Sequence, residues 1–416
     1  MLPVWTEAKL FVSPAKVDAS QSMSGTLPAY QQGALDFPSD KRYARLLDKS
    51  LKTFFWSALK ISLKEPAQAF SFFRTVRCQQ QAARTRASYA RQGVHVPPIM
   101  IFSITNRCNL HCKGCYHWAL RPSYHEELRA DKLRSTIAEA EALGISFIVL
   151  AGGEPMVRRE ILEITREFPR VLFLVFTNGL LIDDDVIARL KRQRNIIPAI
   201  SLEGNGAETD DRRGAGVYAR LERTAANLKS NNIFWSTSLT VTRENIATVT
   251  EEQFIKKLAN LGCRLFFFVE YTPVSGGTEE WVITEAQRAD MARTIASLRS
   301  KFPALFISVP GDEKEFGGCL AAGRGFVHIS AEGNVEPCPF VPFSDVNIRE
   351  SSLKDALQSS FLNFVRQSPQ GLEEGAGGCT LWAKRQWLES LLHKGKALSG
   401  SPTSQKDYSG MAASVR

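Results

Sequence analysis

The chain has 416 residues, of which 44% are hydrophobic and 23% are charged, so it is long enough to bury a large core. Its longest apolar runs, such as residues 145–151, are much shorter than the roughly 20 residues that span a bilayer. Eight cysteines are few for this length, and no apolar targeting segment follows Met1. These features argue against a disulfide-rich secreted scaffold and predict a reduced, cytoplasmic globular protein.

The N-terminal region divides into two parts of different composition. Residues 1–40 mix Pro, Ser, Gln and Gly without sustained periodicity, so we expect an irregular or disordered segment. Residues 41–92 contain twelve Lys and Arg against two acidic residues. The net charge of this segment, +10, exceeds the net charge of +9 for the whole chain. The rest of the chain is therefore close to neutral, which argues against an extended nucleic-acid-binding surface.

Residues 41–96 are expected to form basic amphipathic helices. Apolar residues recur at helical spacing, at Leu47, Leu51, Phe54, Ala58 and Ile61, with Lys49, Lys52, Lys60 and Lys64 among them. Three interpretations are open for the first helix: its apolar stripe packs on the rest of the protein, it lies on an anionic membrane surface, or its basic residues contact RNA. Packing is the usual role of such a stripe.

Residues 97–269 alternate short β-rich runs with helical windows, which predicts an α/β fold of parallel strands joined by crossover helices. We expect this domain to extend over residues 97–310. The expected strands lie near 99–104, 146–150, 171–176, 197–202, 234–241 and 264–270. The expected helices lie near 130–143, 158–168, 183–193, 216–230 and 247–260.

Three cysteines follow the first expected strand at the spacing C-x3-C-x2-C: Cys108, Cys112 and Cys115. A [4Fe–4S] cluster in an electron-transfer protein normally takes four cysteines, so three on one loop would leave one iron free for another ligand. A structural zinc site is the alternative, because His111 and His117 lie close by. Zinc sites usually combine two half-sites, however, and no second half-site follows at short distance.

This cysteine loop resembles that of the radical S-adenosylmethionine (SAM) superfamily, and the resemblance extends over residues 97–380. It implies that SAM chelates the open iron through its amino and carboxylate groups. It also implies a partial (β/α)6 barrel with its chemistry at the carboxyl ends of the strands. The family often has an aromatic residue just before the third cysteine. Here Gly114 takes that place, and Tyr116 is the expected cofactor contact.

Further motifs come directly after expected strands and resemble the SAM pocket of this family. The second strand ends in a GGEP run, at Gly152, Gly153, Glu154 and Pro155. The resemblance implies that this run receives the SAM amino group, and its glycines would let the backbone approach a ligand closely. Thr177 and Asn178 follow strand three in a turn whose side chains can hydrogen-bond a ligand, and Thr242 at the end of strand five is a further expected cofactor contact.

The fourth strand ends in a Ser-Leu-Glu-Gly run that resembles the family's Ser-Leu-Asp-Gly, with Glu203 in place of Asp. The resemblance implies that Ser201 and Glu203 face the ribose or methionyl end of SAM. It also implies that Arg213 pairs with the SAM carboxylate as a two-pronged donor. A salt bridge from Arg213 to Asp210 or Asp211 is the alternative.

A second cysteine group, at Cys319, Cys338 and Cys379, resembles the auxiliary-cluster domain called SPASM. Its C-x13-G-x4-C opening runs through Gly333, but the later cysteine run of that domain is absent. The resemblance therefore implies one auxiliary [4Fe–4S] cluster in a truncated, twitch-like domain over residues 311–393. Three unrelated structural cysteines are the alternative, because free cysteine is often buried. Residues 394–416 are expected to be a flexible tail.

The resemblance implies a function as well as a fold. A reduced cluster would cleave SAM to methionine and a 5′-deoxyadenosyl radical, which takes a hydrogen atom from a substrate carbon. A small electron donor such as flavodoxin or ferredoxin would supply the electron. No catalytic acid–base pair or nucleophilic triad stands out, and hydrogen abstraction needs none.

We expect an oxidoreductase or maturase that acts on a peptide or protein, or in cofactor maturation. The alternatives are a lipid-modifying enzyme at the membrane surface, an RNA-modifying enzyme and a non-catalytic metal-binding scaffold.

Overall fold

The computed structural model of the chain describes residues 52, 56–59, 61, 66–121, 125–310, 318–368, 372 and 379–399. All of these residues fall within one compact unit, Asp40–Arg416. The expectations for residues 1–40 and for the tail after Ser399 lie outside the described residues. The same holds for the predicted helix residues Leu47, Leu51, Phe54, Lys49, Lys60 and Lys64.

The described residues form one sheet of nine strands, in the order β7-β6-β5-β4-β3-β2-β1-β8-β9. The strands are β1 (Ile99–Thr105), β2 (Phe147–Gly152), β3 (Leu172–Thr177), β4 (Ile196–Leu202), β5 (Trp235–Val241), β6 (Cys263–Glu270), β7 (Leu305–Val309), β8 (Phe326–Ile329) and β9 (Val335–Glu336). All neighbouring strands pair in parallel except β8 and β9, which form an antiparallel hairpin.

Helices connect the parallel strands β1 to β7, and further helices precede β1 and follow β9. They are α1 (Pro66–Arg91), α2 (Tyr116–Leu120), α3 (Ala130–Leu143), α4 (Ile161–Arg166), α5 (Asp184–Arg192), α6 (Gly206–Arg213), α7 (Val217–Ser230), α8 (Ile246–Thr250), α9 (Glu252–Asn260), α10 (Glu285–Lys301), α11 (Leu353–Ala356), α12 (Ser360–Arg366), α13 (Thr380–Ala383) and α14 (Arg385–Ser399). Helix α14 continues past residue 394, where the tail was expected to begin.

The predicted partial α/β barrel is confirmed, since the six expected strands are β1 to β6 to within two residues at each end. The sheet is larger than expected at both edges. Strand β7 pairs in parallel with β6, and β8 pairs in parallel with β1 through Ile99–Phe326 to Phe102–Ile329. The short β-rich run at 305–309 was not among the expected strands, and its pairing with β6 places it at the edge of the sheet. The antiparallel hairpin of β8 and β9, which comes directly before Cys338, therefore extends the barrel sheet.

The sheet buries both of its faces, which is why its strands are almost continuously apolar. The outer face packs against the helices through residues such as Leu150, Val175 and Ile200. The inner, concave face has its own apolar cluster, which includes Val149, Leu174, Ile197, Ala199, Leu265 and Phe267. The inner residues near the carboxyl ends, such as Phe176 and Val269, are only partly buried. The open part of the inner face is therefore at the edge that carries the motifs.

The described part of the basic N-terminal segment packs on the inner face. Ala58, Phe72 and Val76 are buried there, and the Phe72 ring meets Phe234 edge-on with centroids 5.1 Å apart. Lys52 is exposed. The packing interpretation of this segment is thus supported, whereas contact with a membrane or RNA stays a prediction. Among the described helices, none is long and apolar enough to cross a membrane.

Replacing Phe72 with Ala should strongly destabilise the protein. The ring is 1% exposed, and removing a buried Phe costs about 3–5 kcal/mol of unfolding free energy. The adjacent Phe73 is 47% exposed, so Phe73→Ala is the matched control and should change the free energy by less than about 0.5 kcal/mol. Denaturant titration of both variants measures the difference. Equal losses would contradict the assignment of Phe72 to the inner core.

Candidate active site

The candidate site lies where four neighbouring parallel strands end. The cysteine loop follows β1, the GGEP run ends β2, Thr177 ends β3 and the Ser-Leu-Glu-Gly run ends β4. Parallel strands end at the same edge of a sheet, so these four segments meet although they are far apart in the sequence. The sequence prediction that the motifs share one edge is consistent with this geometry.

The three cysteines of the loop are partly buried, and Cys115 is the N-cap residue of α2. Burial raises the pKa of the Cys108 thiol to about 11. Burial also raises the pKa of Cys112, although the nearby Arg213 guanidinium opposes this shift. A metal bound by these residues would displace their thiol protons.

Single-ion sites and clusters need different ligand spacings. Within the described ranges, no three His, Cys, Asp or Glu side chains are arranged to hold one metal ion. The cysteines of a [4Fe–4S] cluster each bind a different iron, so their sulfurs stand further apart than the ligands of one zinc ion. The assignment of this loop to a cluster, with zinc as the alternative, therefore stays a prediction.

The two glycines of the GGEP run are packed against the cysteine loop. The Gly153 and Glu154 amides donate to the Thr105 and Arg107 carbonyls at 2.8 and 2.9 Å. A Cβ atom on Gly152 would lie 2.2 Å from the Thr105 oxygen, and one on Gly153 would lie 2.4 Å from the Arg107 oxygen. Glycine is therefore required here for contact between two backbone segments. Close approach to a ligand stays a prediction.

Glu154 connects the ends of β2 and β3. Its buried carboxylate accepts hydrogen bonds from the Met156 amide at 2.9 Å, the Thr177 hydroxyl at 2.7 Å and the Asn178 amide at 2.6 Å. Burial raises its pKa in spite of these donors. Pro155, which follows, begins a short 3-10 turn that runs to Val157. The Glu154 side chain thus has a structural function here, and its contact with SAM stays a prediction.

Asn178 continues this connection to the cysteine loop. Its side-chain nitrogen donates to the Asn109 side-chain oxygen at 2.7 Å and lies 4.0 Å from the Cys108 sulfur. Its side-chain oxygen accepts from the Leu180 amide at 3.1 Å. The turn after β3 therefore supports the loop at the residue that follows Cys108.

Glu203 is the centre of a buried ion pair at the end of β4. Arg213 binds its carboxylate through two nitrogens, at 2.5 and 2.8 Å, and Arg212 adds a third contact at 2.6 Å. Burial opposes ionisation of Glu203, but the two guanidinium groups outweigh it and hold the pKa below the usual value. The partner of Arg213 is thus neither of the two aspartates that sequence reasoning considered. Asp210 instead accepts from the amides of Gly216 and Tyr218.

The end of helix α6 lies directly on the cysteine loop. The Lys113 amide donates to the Arg212 carbonyl at 2.9 Å, and the Arg212 side chain donates back to the Lys113 carbonyl at 3.1 Å. Lys113 stands between Cys112 and Cys115, so Arg212 positions the part of the loop that carries both cysteines. Sequence reasoning missed Arg212, and its only signal was the position next to Arg213.

Three other predicted contacts have different surroundings. Ser201 is partly exposed on the inner face, beside Ser238 of β5. Thr242 forms a local turn in which its amide donates to the Asn245 side chain at 2.7 Å. The Tyr116 ring packs edge-on against Phe340, with centroids 5.1 Å apart. Tyr116 thus joins the cysteine loop to the segment that follows Cys338, and its contact with a cofactor stays a prediction.

The second cysteine group comes together in the fold. Burial raises the pKa of the Cys338 thiol, and the nearby thiols of Cys379 and Cys319 raise it further. Cys319 and Cys338 are buried, whereas Cys379 is partly exposed at the start of α13. Three cysteines far apart in the sequence thus lie near one another, which is consistent with a shared site, and a cluster at this place stays a prediction.

A buried polar chain that sequence reasoning missed links the two cysteine groups. The Ser103 hydroxyl and His328 lie 2.8 Å apart, His328 is 2.8 Å from Glu336, and Arg121 donates to Glu336 at 2.5 Å. Ser103 is only 3% exposed, so this Ser-His-Glu order lies buried within the sheet. Arg121 caps α2 just after the first group, and Glu336 lies two residues before Cys338.

Replacing Arg121 with Met should lower the free energy of unfolding by about 3 kcal/mol or more, because it leaves the Glu336 carboxylate buried without its cation. The matched control is Arg134→Met, whose ion pair with Glu167 has side chains 44% and 45% exposed and should contribute less than about 1 kcal/mol. Denaturant titration compares the two variants. A loss at Arg121 no larger than at Arg134 would show that the chain does not depend on this ion pair.

The protein is similar to known proteins over most of its length. Residues 102–254 match the sequence family described as the Radical SAM superfamily. The chain is 26% identical over 312 residues to the AdoMet-dependent heme synthase of Methanosarcina barkeri. This match covers 68% of this chain and 89% of that protein. It is 25% identical over 331 residues to the antilisterial bacteriocin subtilosin biosynthesis protein AlbA of Bacillus subtilis. That match covers 70% of this chain and 72% of AlbA.

A solved structure shares the fold. Streptococcus suis SuiB bound to the precursor peptide SuiA superposes with a TM-score of 0.58, over 69% of this chain and 71% of that chain. The sequence identity is 16%, so this likeness concerns the fold alone.

Proposed function

Residues 102–254 make this chain a member of the radical SAM superfamily, and we propose that it cleaves SAM reductively at a [4Fe–4S] cluster held by Cys108, Cys112 and Cys115. The bound cluster and SAM would supply a 5′-deoxyadenosyl radical that takes a hydrogen atom from a substrate carbon. The protein would position both groups and keep other C–H bonds and water away from the radical.

The observation that carries this proposal is the support of a three-cysteine loop by three other strand ends. The Glu154 backbone amide supports the loop from β2, the Asn178 side chain supports it from β3, and Arg212 supports it from the segment after β4. The remaining cysteines lie elsewhere: Cys263 begins β6 at the opposite edge, Cys78 is in α1, and the other three form their own group. A cluster on this loop would keep one iron for a ligand that is not a cysteine.

The inner face of the barrel provides the wall of a substrate chamber. In β3 to β6 the inner side chains are buried near the amino ends of the strands and partly exposed near the carboxyl ends. The partly exposed residues are Phe176, Ser201, Ser238, Thr240 and Val269. These groups offer apolar contacts and hydroxyl hydrogen bonds, which suits binding and confinement of a substrate.

We propose that the substrate is a peptide or a cofactor precursor. The two relatives are named for heme synthesis and for bacteriocin biosynthesis, and the similar structure holds a precursor peptide. The second cysteine group supports one auxiliary cluster, held by Cys319, Cys338 and Cys379, that would receive the product electron or anchor the substrate. A small electron donor such as flavodoxin or ferredoxin would reduce the first cluster.

Protein reconstituted without oxygen should hold about eight irons per chain, from two [4Fe–4S] clusters, and should release 5′-deoxyadenosine from SAM when dithionite is added. Replacing Cys112 with Ala should remove about half of the iron and abolish the cleavage, because this cysteine is a ligand of the first cluster. Cys78→Ala, which alters a helix cysteine outside both groups, is the control and should keep both properties. Zinc in place of iron in protein purified without oxygen would contradict the proposal.

Replacing Cys319, Cys338 and Cys379 together with Ala should remove about half of the iron and leave SAM cleavage largely intact, because only the auxiliary site is lost. Iron analysis and 5′-deoxyadenosine formation measure the two effects separately. Unchanged iron content would show that these cysteines are structural and hold no cluster.

A further inference from the structure

Helix α1 has a buried face and an exposed face of different character. The buried face includes Phe72, Val76 and Ala82. At 3.6 residues per turn, the exposed positions on the other side fall in one row along the helix, about 30 Å long. We call this row the outward stripe; it consists of Phe70, Phe73, Arg74, Arg77, Gln81, Arg84 and Arg91.

The outward stripe is positively charged, and its charge is not compensated nearby. Helix α1 contains no Asp or Glu. Among the described residues, no acidic side chain forms an ion pair with the four arginines of the stripe. Glu141 lies close to Cys78 of the same helix, but Arg170 binds its carboxylate at 2.9 and 3.0 Å. The stripe therefore presents four positive charges to its surroundings.

Large apolar side chains are exposed at the same place. Phe70 is 70% exposed and Phe73 is 47% exposed, and Trp56, which precedes the helix, is 41% exposed. Among the described residues, the one other large apolar side chain with such exposure is Val309, at the end of β7. A single exposed apolar residue is ordinary, whereas several in one region indicate an interaction surface.

The outward stripe lies at the opposite end of the barrel from the candidate active site. Helix α1 contacts residues that come directly before strands. The Phe72 ring meets Phe234, before β5, and the Gln79 side chain exchanges hydrogen bonds with Ser146, before β2, at 2.6 and 3.3 Å. The cysteine loop and the other motifs follow the carboxyl ends of the strands. A partner bound to the stripe would therefore leave the substrate chamber open.

We propose that the outward stripe binds an anionic membrane surface, with α1 lying along that surface. The arginines would contact acidic lipid headgroups, and the Phe70 and Phe73 rings would enter the boundary between headgroups and acyl chains. A flat bilayer can meet the whole length of the stripe at once. RNA would be attracted by the same charge, but the chain outside residues 41–92 is close to neutral and offers a long strand little further attraction. This inference does not depend on the proposed function.

The test is cosedimentation of the full chain, reconstituted without oxygen, with phospholipid vesicles. We expect binding to vesicles of phosphatidylcholine mixed with phosphatidylserine, and none to vesicles of phosphatidylcholine alone. Binding should weaken in ~0.5 M salt, because salt screens the attraction between the arginines and the acidic headgroups. Failure to cosediment with the anionic vesicles would overturn the inference. Binding to a single-stranded RNA without binding to these vesicles would assign the stripe to nucleic acid.

Two matched variants separate the stripe from the overall charge. The first removes three charges from the stripe: Arg74→Gln, Arg77→Gln and Arg84→Gln. The control removes three exposed charges from helix α7: Arg220→Gln, Arg223→Gln and Lys229→Gln. The first should weaken vesicle binding about 100-fold, since each basic residue at an anionic surface contributes roughly fivefold, and the control should leave binding nearly unchanged. Equal weakening in both would show that only the net charge matters and would contradict a specific surface.

A further pair of variants tests the aromatic contribution. Phe70→Ala combined with Phe73→Ala should weaken binding about tenfold or more, because two rings no longer enter the bilayer boundary. Both side chains are exposed, so the fold should be retained, which denaturant titration checks. Val309→Ala, which shortens an exposed apolar side chain elsewhere, is the control and should bind as the wild-type chain does. Unchanged binding by the double variant would contradict insertion of the rings.

Discussion

The geometry of the candidate site depends on one buried carboxylate, Glu203, that binds two guanidinium groups. A buried carboxylate is costly unless cations and hydrogen bonds compensate for lost hydration, and Arg212 and Arg213 provide both. The same interaction fixes the end of α6, which exchanges two hydrogen bonds with Lys113 in the cysteine loop. The position of the loop is thus determined by a charge pair at a neighbouring strand end. Arg213 also lies close enough to Cys112 to favour its thiolate.

The cysteine loop is also positioned by polar groups at the ends of other strands. Glu154 and Asn178 act from β2 and β3, while the chain from Ser103 to Arg121 acts from β1, β8 and β9. That last chain joins the region of the first cysteine group to the hairpin before Cys338. If both groups hold clusters, as proposed, their relative position is set by hydrogen bonds inside one continuous sheet.

Several predicted site residues have contacts within the protein where ligand contacts were expected. The glycines of the GGEP run make room for the backbone of the cysteine loop, and Thr242 forms a turn with Asn245. Tyr116 packs against Phe340, whereas Trp281 lies beside Gly114. A motif in a sequence therefore indicates which segments form a site, but it does not say which atoms face the ligand.

The sequence by itself determined the features that depend on near neighbours: the six strands and their helices, the cysteine loop and the position of each motif after a strand. Periodicity and short spacings are local properties, so they can be read without knowing the fold. Only the tertiary structure decided which distant groups meet. The pairing of Glu203 with both arginines, the convergence of Cys319, Cys338 and Cys379, the addition of β7 and β8 to the sheet and the place of Trp281 all join residues from different elements. Such contacts arise from packing and strand order, for which a single sequence contains no local signal.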